Sequence, residues 1–390
     1  MTDVAAPFGP SYGFGAYIHW PYCSRICPYC DFNVYAAKQR DNAPLLDAIT
    51  RDIDRHGAWL TDHPPLTSIY LGGGTPSLLS GGEIEQLIGA CDTAFGITGR
   101  AEITLEANPQ MVTPDVAADW YAAGVTRISL GVQSLTDDAL VFLGRDHNAD
   151  DALRAAEIAL KVFPSVSLDL IYARPGQTAA SWTKELQAAT AIGAHHISLY
   201  ELTIEPDTAF GRALNRGALI PMPDDAQADL FELTHDLMAE AGYPAYEISN
   251  FACAEAHRSA HNLTYWRSGD WIGVGPGAHG RVTIDRQRVA TEAERKPLDY
   301  IKAMPTDRRE PDHSTILSNS AAAEEMLAMG LRTIEGIAPK RLDQAMSNLI
   351  DQDRLMELKD DGWILDRQDR LILSQSGRLL ADKVVAELVA

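Results

Sequence analysis

Six short apolar, β-rich runs return along residues 16–202: "AYIHW" (16–20), "SIYLG" (68–72), "EITLEA" (102–107), "RISLGV" (127–132), "VSLDLIY" (166–172) and "HHISLYEL" (195–202). Between them lie stretches of helical period: "PLLDAITRDIDRHGAWL", "GGEIEQLIGACDTAF", "TPDVAADWYAAG", "DDALRAAEIALKV" and "SWTKELQAATAIG". The third carries a start signal, with Thr113 at the N-cap and Pro114 at the first helical position. Strand and helix in alternation mean parallel βαβ units, because parallel strands need a long crossover. Six such units predict an α/β fold of the partial, open (β/α)6 barrel type. In barrels of this class, chemistry sits on the loops that leave the C-terminal ends of the strands.

The first of those ends is "HWPYCSRICPYCDFNVY", residues 19–35. Three of the five cysteines of the chain fall there, at Cys23, Cys27 and Cys30, spaced C-x3-C-x2-C. Structural zinc, or thiols that are neighbours by chance, is one reading. Zinc sites usually reach four ligands by pairing two C-x2-C knuckles or adding His, and no second knuckle is present. Cys91 lies in an apolar helical pattern and Cys253 stands alone. An iron–sulfur cubane fits better. It is normally held by four thiolates. Three leave one iron open, and an open coordination position is what a metal needs to take a small molecule.

The other strand ends also carry polar residues. "GGGTPS" (72–77) follows the second run, and its glycines allow close backbone approach to a ligand. It lacks Gly-Lys-Ser/Thr, so it is not a P-loop. Glu106 follows the third run in "LEANP", Gln133 the fourth in "GVQS" with Arg145 beyond it, and Asp169 lies in the fifth. One such residue alone is most simply a cap or a turn. A series of them on successive strands points to a ligand cradle.

The cysteine spacing, with Tyr29 before the last cysteine, resembles the radical S-adenosylmethionine (SAM) superfamily. There the open iron of a 4Fe-4S cluster is chelated by the amino and carboxylate groups of SAM. "GGGTPS", "LEANP", "SLGVQS" and "LDLIYARPGQT" are similar to the oxygen-independent coproporphyrinogen III oxidase group, over most of the chain from about residue 14. By position, that resemblance puts Tyr17, Gly73, Gly74, Thr75, Glu106, Gln133, Arg145 and Asp169 at SAM-binding positions. Glu106 would accept from the amino group or ribose, and Arg145 would pair with the SAM carboxylate as a charge-assisted fork. Tyr17 and Tyr29 would lend apolar faces near the cluster and adenine.

Within the group, the decarboxylating dehydrogenases read C-x3-C-x2-C-x-C. Here the position two after Cys30 is Phe32, and only about fifteen residues precede the first strand. "HNLTYW" (261–266) instead resembles the signature of the HemW-type heme chaperones, which share the barrel and cluster but bind heme and pass it on. Imidazole is a common heme-iron ligand, and Tyr and Trp offer flat apolar faces to a porphyrin. His261 is then the axial-ligand candidate, with Tyr265 and Trp266 beside it and His257 and Cys253 as rivals. "GDWIGVGPGAHG" reads as a close-packed loop near the same site. The resemblance implies a heme-accepting protein as partner and an electron donor for the cluster. The alternative is a coproporphyrinogen III dehydrogenase or another radical SAM oxidoreductase of porphyrin metabolism.

The formal net charge of -21 argues against a nonspecific nucleic-acid binder. No stretch has the length of an apolar membrane span, and the N-terminus lacks a charged and apolar leader pattern. Sparse cysteines give no disulfide framework, so a reducing cytoplasm is expected. Residues 1–245 form the expected barrel and 246–310 a connecting region with the heme motif. Residues 311–390 read as a small winged-helix-like α+β cover, in which "STILSNSAAAEEMLAMGLRT" and "APKRLDQAM" are helical. Two short strands joined by "DRQD" then lead to a last helix.

Overall fold

A computed structural model describes residues 6–37, 41–304, 311 and 313–389. Its main sheet has eleven strands. Six are the expected ones: β1 (Phe14–Trp20), β2 (Leu66–Gly73), β3 (Ile97–Ala107), β4 (Arg127–Gln133), β5 (Ser165–Tyr172) and β6 (His196–Glu201). They pair in parallel in sequence order. β7 (Asn250–Ala252) adds antiparallel to β6 at one edge. Beyond β1 lies β8 (Asp270–Val274), also parallel, and then β9 (His279–Ile284), β10 (Gln287–Glu292) and β11 (Ser314–Ile316), all antiparallel. The linear strand order leaves the barrel open, with β11 and β7 at its two edges.

The two-residue period of each strand decides what faces in. In β2, Ile69 and Leu71 join the helix-covered core, while Ser68, Tyr70 and Gly72 share the opposite face. In β5, Val166, Leu168 and Leu170 turn out, and Ser167 and Asp169 turn in. The covering helices are α1 (Ala43–Trp59), α2 (Gly81–Phe95), α3 (Pro114–Ala122), α4 (Ala149–Val162) and α5 (Ala179–Ala191). Their starts are chemically fixed. Ser80 and Glu83 close a capping box on α2, and the Thr113 side chain accepts from the Val116 N–H on α3.

The loop expected at "GDWIGVGPGAHG" is instead the buried strand β8, followed after a tight turn by β9. Asp270 opens this strand. Here it is fully buried, because Arg288 (2.6 Å), His63 (2.9 Å) and the Thr283 hydroxyl (2.8 Å) surround its carboxylate. "STI" is likewise a strand, not the start of a helix. The helix after it begins only at Asn319, capped by Ser318. The 246–310 region therefore extends the sheet at both edges and is no separate linker. The C-terminal module has its own core, from Ala323 through Leu358 and Leu373 to Leu388. Its two short strands, Ile364–Arg367 and Arg370–Leu373, form the expected hairpin.

Candidate functional site

The cysteine loop leaves the C-terminal end of β1. All three thiols are free, with Cys23 buried and Cys27 and Cys30 half-buried. The loop is held from several sides. Residues 22–23 pair with 35–36, the Phe210 N–H donates to the Pro28 carbonyl (2.9 Å), and the Asn33 amide donates to the carbonyls of Pro276 and Arg295 (both 2.8 Å). Arg145 donates to the Cys27 sulfur at 3.3 Å. Burial pushes the Cys23 thiol up and the Cys30 thiol to about 11. Among the described residues, no three His, Cys, Asp or Glu side chains converge on a single ion. Zinc needs such convergence, with sulfurs about 2.3 Å from one metal. In a cubane each thiolate takes a different iron.

Beside it, β2 ends in the glycine turn. Gly73 has φ 105°, a left-handed value that favours glycine. At Gly74 a Cβ would lie 2.7 Å from the carbonyl oxygens of Trp20 and Tyr22, and the Gly74 and Thr75 N–H groups donate to those same oxygens (2.7 and 2.8 Å). The Thr75 side chain beside Cys23 offsets part of the effect of burial on that thiol. Glue between turn and barrel is Glu106, which accepts from the Gly73 N–H (3.0 Å) and the Tyr70 hydroxyl (2.9 Å). Burial, and then the nearby Asp169 charge, raise the Glu106 carboxyl to about 7. Asp169 accepts from Ser129 (2.8 Å) and Ser167 (3.1 Å), yet burial raises it too. Arg145 donates to Asn108 (2.7 Å) and the Gly131 carbonyl (3.2 Å), and its buried Nε has no partner. Gln133 sits at a break of register with φ 64°, the kind of strained backbone that gathers at binding sites. Tyr17 contacts His19 (2.9 Å), and Tyr29 packs against Phe210.

Apart from Tyr17, whose ring lies mid-barrel 6.4 Å from that of His261, the cradle residues expected from the sequence gather at one end of the barrel, around a partly buried pair of carboxyls and one incompletely paired guanidinium. That interior suits a cation carrying its own carboxylate. The sequence reading passed over Asn108, which holds Arg145, and His19 and Asn33, which tie the cysteine loop to the sheet. Asn108 stands in the quoted "LEANP", two residues after Glu106. His19 and Asn33 act through bonds to partners distant in sequence and leave no local signal.

"HNLTYW" lies at the opposite end. It is the helix α6 (Ala260–Trp266), capped by Ser259, and it forms the floor of the barrel. His261 is 1% exposed. One ring nitrogen contacts the Ser68 hydroxyl (2.9 Å) and the other the Tyr265 hydroxyl (2.6 Å). Burial lowers its pKa to about 3, so the ring is neutral. His261 and Tyr265 face inward, while Trp266 faces the C-terminal module, with the Arg332 guanidinium 4.8 Å from its ring centre. The three motif residues do not share one surface. His257 and Cys253 lie on the outer side of the floor. The His257 ring packs 4.4 Å from that of His195, whose carbonyl accepts from the Cys253 N–H.

Comparison with known proteins places the chain in a family. The family model of the radical SAM superfamily matches residues 17–188. The heme chaperone HemW of Mycobacterium tuberculosis is 35% identical over 384 residues, covering 97% of this chain and 96% of the relative. HemW of Escherichia coli is 41% identical over 289 residues, 73% of this chain and 75% of that protein. The chain belongs to the HemW family of the radical SAM superfamily. A mitochondrial radical SAM domain-containing protein 1 of Bos taurus is also similar to this HemW-family chain, at 35% identity over all of it and 90% of the relative. Among solved structures, the radical SAM enzyme coproporphyrinogen III oxidase HemN of Escherichia coli matches with a TM-score of 0.81. It covers 98% of this chain and 91% of its own, at 20% identity, a likeness of fold. Membership of the superfamily implies a 4Fe-4S cluster and SAM. Among the described residues no helix is long and apolar enough to cross a membrane.

Proposed function

We propose that this protein is a cytoplasmic heme chaperone, one that binds heme and hands it to an acceptor protein. Cys23, Cys27 and Cys30 would hold the 4Fe-4S cluster. Tyr17, Tyr29, Gly73, Gly74, Thr75, Glu106, Gln133, Arg145 and Asp169 would surround SAM. The cluster, when bound, supplies an open iron and an electron. The chain's own residues do the rest. Glu106 and Asp169 neutralise a cation, Arg145 offers its unpartnered Nε to a carboxylate, and the glycine turn admits the ligand to the backbone. The observation that carries the chaperone reading over the dehydrogenase one is Phe32. It stands 63% exposed in the position where the dehydrogenases carry a fourth cysteine, in a chain whose relatives are named heme chaperones.

Heme ligation by His261 requires its ring to leave Ser68 and Tyr265. His257 and Cys253 are the alternatives already near the surface. The second reading, coproporphyrinogen dehydrogenation, is supported by the presence of the cradle residues. One anaerobic preparation tests both. Heme should bind and pass to an acceptor, and coproporphyrinogen should remain unconverted with SAM and a strong reductant present. Protoporphyrinogen formed at a catalytic rate overturns the chaperone reading.

A further inference from the structure

The inward face of β2 runs without a break from the floor of the barrel to the cradle. Ser68, Tyr70 and Gly72 lie on it at intervals of two residues, about 7 Å apart along the strand. At the bottom, Ser68 contacts His261. In the middle, the Tyr70 ring is stacked on the His261 imidazole, with centroids 5.2 Å apart and planes 28° from parallel. At the top, the Tyr70 hydroxyl donates to Glu106, and the other Glu106 oxygen accepts from Gly73. Gly72 leaves room for this, since a Cβ there would come 2.9 Å from the Tyr70 ring and 3.2 Å from the Glu106 carboxyl carbon. Tyr265 braces the far side of the imidazole and is itself packed edge-on to Trp271 (4.5 Å).

Each link is a specific contact, and the order is fixed: floor helix, imidazole, phenol, carboxylate, glycine turn. Both ring nitrogens of His261 are occupied, so in this arrangement the ring offers nothing to an iron. It does offer a flat face on which Tyr70 rests. Tyr70 in turn supplies one of the two bonds that orient the Glu106 carboxylate. We infer that His261 is a positioning residue of the SAM site, acting through Tyr70 and Glu106. The "HNLTYW" helix then serves the cradle from below. This inference rests on the proposed binding of SAM by Glu106 and its neighbours.

The test is equilibrium binding of SAM to the full chain carrying its reconstituted cluster, beside iron content, melting temperature and the heme spectrum. His261→Ala removes the stacked face and should weaken SAM about threefold to tenfold, the loss of one aromatic contact, at unchanged iron content. His261→Phe restores a face but not the bonds to Ser68 and Tyr265. Its SAM affinity should recover although its melting temperature stays low. Tyr70→Phe keeps the ring and the floor intact and loses only the bond to Glu106. It should weaken SAM by a similar factor, and it carries the test where His261→Ala does not fold. His257→Ala, outside the column, should bind SAM as the parent does. SAM affinity that follows melting temperature across the His261 variants overturns the inference. So does a His261→Ala protein with parental SAM affinity and an altered heme spectrum, which would return the ring to the role of iron ligand. If the unaltered, cluster-loaded chain binds no SAM, the proposed site is itself wrong and the inference falls with it.

Discussion

The two ends of this barrel are built on opposite terms. At the floor, several buried polar groups find partners within the protein, although the Trp266 Nε1 has none. The Glu102 carboxylate accepts from the His261 N–H (3.2 Å), the Arg127 guanidinium donates to Ser165 and the His257 carbonyl (both 3.0 Å), and the Tyr246 hydroxyl contacts His196 (2.9 Å). At the cradle end, three thiols are free, the Arg145 Nε is unpartnered, and two neighbouring carboxyls have pKa values raised by burial. A paired buried charge holds the fold, and an unpaired one costs stability until a ligand completes it. If the cradle binds SAM as proposed, substitutions at the two ends should sort into effects on stability and effects on binding.

The sharpest separation comes from the cysteines. Changing Cys23, Cys27 or Cys30 singly to Ala should abolish the cluster, because a cubane held by two thiolates has two open corners. The ligand-free fold should barely change. Iron and sulfide analysis after anaerobic reconstitution reads the first effect, and urea denaturation of the apo protein the second. A full cluster in any one variant would bring in another ligand, with Cys253 first in line.

The reverse pattern is expected at Arg127. It is 2% exposed and lies 3.6 Å from Glu102 as well as bonded to its two acceptors. Replacing it by Met leaves the partly buried Glu102 carboxylate without its nearest cation and two acceptors without a donor, and should cost about 3 kcal/mol in denaturant unfolding. Cluster loading at low temperature should be untouched. Loss of the cluster in a folded Arg127→Met protein would erase the distinction between the two ends.

Glu106 gives a smaller effect with a definite sign. Its carboxyl is raised from 4.5 to about 7, so the folded apo protein holds a proton that the unfolded chain has already released. Stability is therefore lost as pH rises from about 4.5 through about 7, and the deficit is constant above that. Glu106→Gln removes the deficit. Relative to the parent, the apo variant should gain about 1–3 kcal/mol between pH 4 and pH 8, and bind SAM worse at every pH. A parent and variant with parallel stability curves would show that Glu106 is ionised and satisfied without a ligand.

The sequence was most legible where local chemistry decides the outcome. The six strands, the five covering helices and the Thr113 cap follow from hydrophobic period and capping residues, which act over a few positions. The clustering of the polar strand-end residues was legible because they stand at strand ends, one after another. β8 was misread because its burial depends on Arg288 and His63, which are far from Asp270 in sequence. The surroundings of the floor motif were illegible for a related reason. His261 in a short motif with Tyr and Trp suggests a ligand surface, and only the folded chain brings Ser68 and Tyr70 against it. Helical geometry alone gave half the answer, since His261 and Tyr265 are four residues apart and face one way, while Trp266 faces another.

The smallest expected effect lies outside the floor, where the C-terminal module is fastened to the end of α6. Arg267 makes a two-pronged bond to Glu335 (2.9 and 2.5 Å), and this bond holds the Glu335 carboxyl below its usual range. A depressed carboxyl contributes stability above its unfolded pKa near 4.5, and the contribution disappears as pH falls through the lower, folded value. The side chains are 40% and 30% exposed, so water and salt screen the pair. Glu335→Gln should therefore cost no more than about 1 kcal/mol at pH 7 and progressively less as the pH falls below the usual carboxylate range, with the difference shrinking in high salt. A double-mutant cycle with Arg267→Leu isolates the pair from the second cation, Arg258, at 4.0 Å. The module is also attached elsewhere, through Arg341 to the carbonyls of Pro7 and Arg267 and through Arg281 to Glu325. Cluster content and SAM affinity should accordingly be the same in all four proteins of the cycle. A drop in SAM affinity on breaking this one exposed pair would mean that the outer face of α6 reports to the cradle as its inner face does, and the two ends of the barrel would then have to be treated as one site.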